Sequence, residues 1–154
     1  MRKLTRRDLS KLIGSAATIG VLVPDANAAT ALPAIKAYRN PGCGCCEKWA
    51  ESLKQAGFDI TMEDDADLAT RKTKAGVPSD LSGCHTAFMG NYIIEGHVPV
   101  ADIKRLLEEQ PAALGLAVPG MPAESTGMEM GGTAVKYDVM LFAKDGTSHV
   151  YASH

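Results

Sequence analysis

Three cysteines crowd into Pro41-Gly42-Cys43-Gly44-Cys45-Cys46, at the point where a strand-like run gives way to a helical pattern. Ile35-Lys36-Ala37-Tyr38-Arg39 reads as a short strand closed by Asn40-Pro41-Gly42. From Cys45 the periodicity predicts a helix through Ala56, with Trp49, Leu53 and Ala56 at near-helical spacing and Gly57 as the stop. Free N–H groups and the helix dipole stabilise thiolates at such a helix start. Gly42 and Gly44 allow the backbone to turn tightly around the sulfurs. Few folds place a thiol-rich turn between a first strand and a first helix, so this segment narrows the choice more than any other.

The remaining pattern agrees with a small α/β domain. Phe58 to Met62 alternates as a second strand, and Asp67 to Ala75 reads as a short polar helix closed by Gly76-Val77-Pro78. Thr86 to Ile94 reads as a third strand, turning at Glu95-Gly96-His97-Val98-Pro99. Val100 to Glu109 is a helix with Ile103, Leu106 and Leu107 on one face. Gly115 to Gly132 is rich in Gly, Pro and Met and reads as a loop. Val135 to Phe142 and Ser148 to Tyr151 flank Lys144-Asp145-Gly146, a hairpin signal. The order β-α-β-α-β-α followed by a hairpin predicts an α/β sandwich. A Cys-x-x-Cys at the first strand-to-helix junction narrows it to a thioredoxin-like sandwich with a C-terminal β-hairpin. The 154 residues allow one ordinary domain, and with aromatics at 5% the core must rest on aliphatic side chains and Met.

Charge divides the chain. Residues 1–28 carry five basic side chains against two acidic, while 29–154 carry eleven against sixteen. A positive stretch from Arg2 to Lys11, a weakly apolar run from Leu12 to Val23, Pro24, and Ala26-Asn27-Ala28 have the layout of an export signal peptide. Thr5-Arg6-Arg7-Asp8-Leu9-Ser10-Lys11 is similar to the twin-arginine signal. The apolar run is short of the about 20 residues a membrane span needs. The expected organisation is a leader, 1–28, and a metal-binding domain, 29–154, delivered to the periplasm without a stable membrane span. The formal net charge of −2 argues against nucleic acid as a partner.

Cys43 and Cys46 have the i, i+3 spacing of a redox dithiol, yet Cys45 puts a third thiol between them, and the remaining cysteine is Cys84. A periplasmic thiol-disulfide oxidoreductase, two structural disulfides, a zinc site and a 2Fe–2S electron carrier are all open readings. The disulfides are disfavoured because a bridge within so short a segment is strained. One tetrahedral zinc usually draws on two separated Cys pairs. Diverging adjacent thiolates suit a cluster in which each sulfur bridges two soft ions, and thiolates select Cu(I). Four thiolates and four Cu(I) sum to zero charge, an easy state to bury.

Met121 and Met128 lie in the irregular segment, where their thioethers can serve as Cu(I) ligands or pack the loop onto the body. His97 is a turn residue within reach of a site, as ligand or supporting partner. His85 follows Cys84 and, on a strand, points to the opposite face, so its expected role is structural. Trp49, Tyr38, Met62, Met89 and Met140 read as core. Glu63-Asp64-Asp65 with Asp67 reads as a solvated edge, and His149 and His154 as solvated.

Tyr38 to Trp49, Cys84-His85-Thr86-Ala87, Glu95 to Pro99 and Pro119-Gly120-Met121-Pro122 together resemble the CopG-type copper-resistance proteins, periplasmic metal-binding domains long filed under unknown function. The resemblance covers roughly residues 35–151 and departs from the family pattern at Ala123-Glu124-Ser125-Thr126. It implies a thioredoxin-like fold and a multinuclear copper cluster held by Cys43, Cys45, Cys46 and Cys84, with Met121, Met128 and His97 at recurrent family positions. It implies copper tolerance, by sequestration or by Cu(I)/Cu(II) conversion, with metal ions and other periplasmic copper-handling proteins as partners.

Overall fold

The computed structural model describes residues 31–129, 131–133 and 135–154. The expected leader, 1–28, lies outside the described residues. Residues 31–154 form one compact unit, built from β1 (Ile35–Arg39), α1 (Gly44–Gln55), β2 (Ile60–Asp64), α2 (Leu68–Ala75), β3 (His85–Met89), β4 (Tyr92–Glu95), α3 (Val100–Glu109), β5 (Gly115–Ala117), β6 (Asp138–Phe142) and β7 (Ser148–Ser153). Among the described residues no helix is long and apolar enough to cross a membrane.

The strands form a single seven-stranded sheet in the order β2-β1-β3-β4-β5-β6-β7. β1 runs parallel to β2 and antiparallel to β3, and β4 runs parallel to β5. Strand alternation divides the core between the two faces. Ala87, Met89, Ile94, Leu116 and Leu141 join Trp49 and Leu53 of α1 and Ile103 and Leu106 of α3. Their neighbours Phe88, Ile93, Ala117 and Phe142 turn to the other face, against Ala75, Val77 and Leu81. Helix α1 buries Cys46, Trp49, Ala50 and Leu53, an i, i+3, i+4, i+7 stripe. It stops at Gly57, whose φ of 96° lets the Phe58 N–H reach back to the Leu53 carbonyl at 3.0 Å.

Several expectations from the sequence differ from the structure. The run Thr86 to Ile94 is two strands, because Gly90-Asn91 folds a two-residue turn with Gly90 at φ 57°. The segment from Gly115 begins with a strand, β5, whose glycine is required: a Cβ on Gly115 would lie 1.8 Å from the Ile93 carbonyl oxygen. Tyr38 is half-buried rather than core, with the Arg71 guanidinium 3.5 Å above its ring. Met89 is fully buried, whereas Met62 and Met140 are partly exposed. Of the last two strands, β6 starts later than its apolar run, at Asp138, and β7 ends later, at Ser153; they pair antiparallel across a turn closed by Ala143 and Thr147. The edge at Glu63-Asp64-Asp65 is solvated and ion-paired to Lys36, Arg39 and Arg71.

Candidate metal centre

Sheet register gathers the site. Arg39 pairs with His85 across β1 and β3, so residues following β1 and the residue preceding β3 emerge at one end of the sheet. Thr86 pairs with Glu95, and Glu95 with Ala117, so the chain leaving β4 and the chain leaving β5 emerge at that end too. The turn at 40–43, Cys84, Gly96-His97 and Val118 to Met121 are thereby neighbours although they span about half of the chain.

Cys43 is the residue before α1, with its carbonyl held by Arg39 Nη1 at 2.9 Å. The same guanidinium bonds Asp64 and Glu47, each at 2.8 Å, which fixes the entry to the helix. The sulfurs of Cys43, Cys45, Cys46 and Cys84 all lie within 4.8 Å of one another. Cys45 Sγ is 3.3 Å from Cys43 Sγ, and Cys84 Sγ is 3.4 Å from Cys46 Sγ and 4.0 Å from Cys45 Sγ. Cys46 is buried and the other three are half-buried.

Cys43 and Cys46 are joined as a disulfide, while Cys45 and Cys84 are free thiols. The sequence disfavours a bridge within so short a segment, and one is present here. The first helical turn brings the two Cα atoms to 5.6 Å, inside the ordinary range for a bridge.

His97 is fully buried and reaches the group at Cys84. Its Nδ1 lies 2.7 Å from the Thr126 carbonyl and its Nε2 lies 2.8 Å from Cys84 Sγ. A carbonyl only accepts, so Nδ1 carries the proton and Nε2 presents its lone pair to the sulfur. Burial holds the His97 pKa below its ordinary value, against the opposing pull of the Thr126 carbonyl. Burial also pushes the Cys84 thiol up to about 12, with the neighbouring Cys45 adding to the shift. A soft ion arriving here therefore displaces a proton from Cys84 and finds a neutral imidazole beside it.

His85 does not point to the far face as strand alternation predicts. Its Nδ1 is 3.4 Å from Cys84 Sγ, and Cys84, His85 and His97 form a second group of donors within 4.8 Å. Strand alternation misleads here because Cys84 lies in a bend just before β3, not on the strand. The His85 ring packs 4.1 Å from Trp49, and its Nε2 is buried with no hydrogen-bond partner among the described residues. Burial, then the neighbouring His97 and Lys72, drive its pKa well below the usual value, so the ring is neutral.

The two methionines are placed differently. Met121 is 57% exposed and lines, with Asn40, Cys43, Cys84 and Gly120, a cavity of about 450 Å³ that opens beside the sulfurs. Met128 is half-buried, with its N–H bonded to the Ser125 carbonyl at 2.7 Å. Its loop sits directly on α1 at Gly127 (φ 87°), where a Cβ would come within 2.7 Å of the Trp49 nitrogen and 2.8 Å of the Cys45 oxygen.

A buried polar group lies beneath Cys84 and left almost no mark on the sequence. Lys72, Thr86 and Glu95 are all buried and bonded to one another, and Glu95 Oε1 also accepts the Gly83 N–H at 2.7 Å. Its only trace in the sequence is a Lys on a polar helix and a Glu ending a strand, neither of which marks a buried pair.

A mixed α/β domain with a cysteine-rich group able to hold a metal ion is thus the class that the fold and site define. Two solved structures titled copper resistance protein CopG, in forms 1 and 2, match the chain at 40% and 39% identity. Each match covers 80% of this chain and 98% of the other, with a TM-score of 0.76. The family described as protein of unknown function, DUF411, matches residues 81–128. No curated protein matches. The chain belongs to the CopG copper-resistance family.

Proposed function

We propose that this protein is an exported, thioredoxin-like copper-handling protein that supports copper tolerance in the periplasm. In its reduced form the four cysteines hold Cu(I) as a multinuclear, thiolate-bridged cluster. The observation that carries this reading is the convergence of Cys43, Cys45, Cys46 and Cys84 within 4.8 Å from two separate segments. Thiolates are soft donors that select Cu(I), and His97 adds a neutral nitrogen aimed at the same sulfur. Met121 and Met128 are the candidate thioether donors. Met121, at the cavity rim, is suited to the entering ion.

The β-α-β unit followed by β3-β4-α3, with the cysteine turn at the first junction, supports the thioredoxin-like assignment. The arrangement of residues 1–28 supports twin-arginine export. The copper resistance titles of the similar structures favour metal handling over a thiol-disulfide oxidoreductase or a 2Fe–2S carrier.

Anaerobic Cu(I) titration of the reduced protein against a competing chelator tests the reading. Several coppers per chain support a cluster, and less than one per chain overturns it.

A further inference from the structure

Cys84 is the one cluster sulfur that does not belong to the turn at 43–46, so its place depends on how the start of β3 is held. Three features converge on it from behind. Gly83, the residue before it, packs so tightly that a Cβ there would lie 2.6 Å from the Gly96 Cα. Gly83 also bridges to Gly120 beside it. Glu95, fully buried at the end of β4, then straddles Cys84: its Oε1 accepts the Gly83 N–H at 2.7 Å and its Oε2 accepts the Thr86 hydroxyl at 2.7 Å. Lys72 reaches across from α2 to pair with Glu95 Oε1 and to donate to Thr86 Oγ1 at 2.9 Å.

A buried ion pair of this kind seldom adds stability over apolar residues of the same volume. What it supplies is direction, because a carboxylate fixes its donors in defined geometry while an apolar side chain leaves the Gly83 N–H without a partner. The carboxylate cannot stand there alone, since a lone buried charge is costly, and the Lys72 ammonium neutralises it.

We propose that Lys72 and Glu95 are positioning residues for Cys84: Glu95 clamps the peptide on the near side of the cysteine and the hydroxyl on its far side, and so holds the fourth sulfur against the turn at 43–46. The importance of that placement rests on the metal-site reading above, but the placement itself is measurable without metal.

A C43S/C45S background leaves Cys46 and Cys84 as the two thiols. Their equilibrium with a glutathione redox buffer, in which two protein thiols are oxidised to one disulfide as one glutathione disulfide is reduced to two thiols, gives the effective concentration of one sulfur at the other. Two variants are compared in that background, K72M/E95Q and K72M/E95L. Both remove both charges, and only the glutamine keeps an acceptor for Gly83. The expected result is a value within about twofold of the parent for K72M/E95Q and a fall of about tenfold for K72M/E95L. A parental value in K72M/E95L overturns the proposal. So does a fall in both variants that simply tracks their urea stability. If K72M/E95L does not fold, T86V removes one tie of the carboxylate and no backbone contact; a severalfold fall supports the clamp and a parental value overturns it.

The metal arm uses all four cysteines. Reduced K72M/E95L is expected to take up only as much Cu(I) as Cys84→Ser, and parental uptake overturns the functional half of the proposal. A clamp confirmed by the thiol equilibrium in a parent that binds no Cu(I) leaves the positioning intact and refutes the metal reading alone.

Discussion

The Cys84 sulfur and the His97 Nε2 face each other at 2.8 Å, while the opposite nitrogen of the same ring is tied to the Thr126 carbonyl at 2.7 Å. One hydrogen bond thus selects the tautomer and leaves the lone pair of the other nitrogen facing the sulfur, available to an ion that displaces the thiol proton. Metal-binding histidines are commonly oriented in this way.

Replacing His97 with Phe keeps most of the buried volume and removes both nitrogens. Cu(I) affinity of the reduced protein is expected to fall by about 10–100-fold, read by competition with a chelator. A folded variant of parental affinity would remove His97 from the donor set.

The Cys43–Cys46 bond withholds two of the four sulfurs. Copper loading is therefore expected to depend on reduction: a dithiol supplies two electrons, two protein thiols appear, and the dithiol leaves as its own disulfide. Oxidised protein is expected to take up about half the copper of reduced protein or less, measured by elemental analysis alongside a free-thiol count. Equal loading of the two forms would show that the bonded sulfurs are not ligands.

Gly127 lies where a side chain would strike the backbone of α1 at Cys45 and Trp49, and its φ of 87° favours glycine. Gly127→Ala is expected to lift the 121–129 loop from the helix and to cost about 1–3 kcal/mol in urea unfolding. Because Thr126 is its neighbour, the His97 bond should loosen with it, and the variant should also bind Cu(I) more weakly. Unchanged stability would mean that the loop is not seated on the helix.

Tyr151 gives a prediction in alkali. Burial, then its hydrogen bond to the Glu109 carboxylate at 2.9 Å, pushes its phenol up to about 12. The folded state thus holds this proton more tightly than the unfolded chain, whose tyrosines titrate near about 10. The stability it contributes is complete below that pH and is lost as the pH rises through the folded value. In an ultraviolet titration Tyr151→Phe should delete a late phenolate step and flatten the fall in stability over the same window. A wild-type titration with every phenol near its ordinary value would contradict this.

Much of the local structure was legible in the chain. The stripe of Trp49 and Leu53, the stop at Gly57, the helix over Val100–Glu109 and the short strand before the cysteines all express periodicity or backbone preference within about a dozen residues. The turn at Gly90-Asn91 was equally local, and it was hidden by the apolar run around it. Strand β5 was hidden because its glycine answers to the Ile93 backbone rather than to any neighbour in sequence.

Composition and spacing belong to the chain, and they already put three thiols at one helix start with a fourth elsewhere. Tertiary structure alone decided that Cys84 meets them, that His85 and His97 turn toward it, and that Lys72 finds Glu95 beneath it. Those contacts depend on strand register and on burial. Pairing Arg39 with His85 brings residues more than forty positions apart to one end of the sheet, and only the removal of water makes the buried charge pair and its hydrogen bonds decisive there.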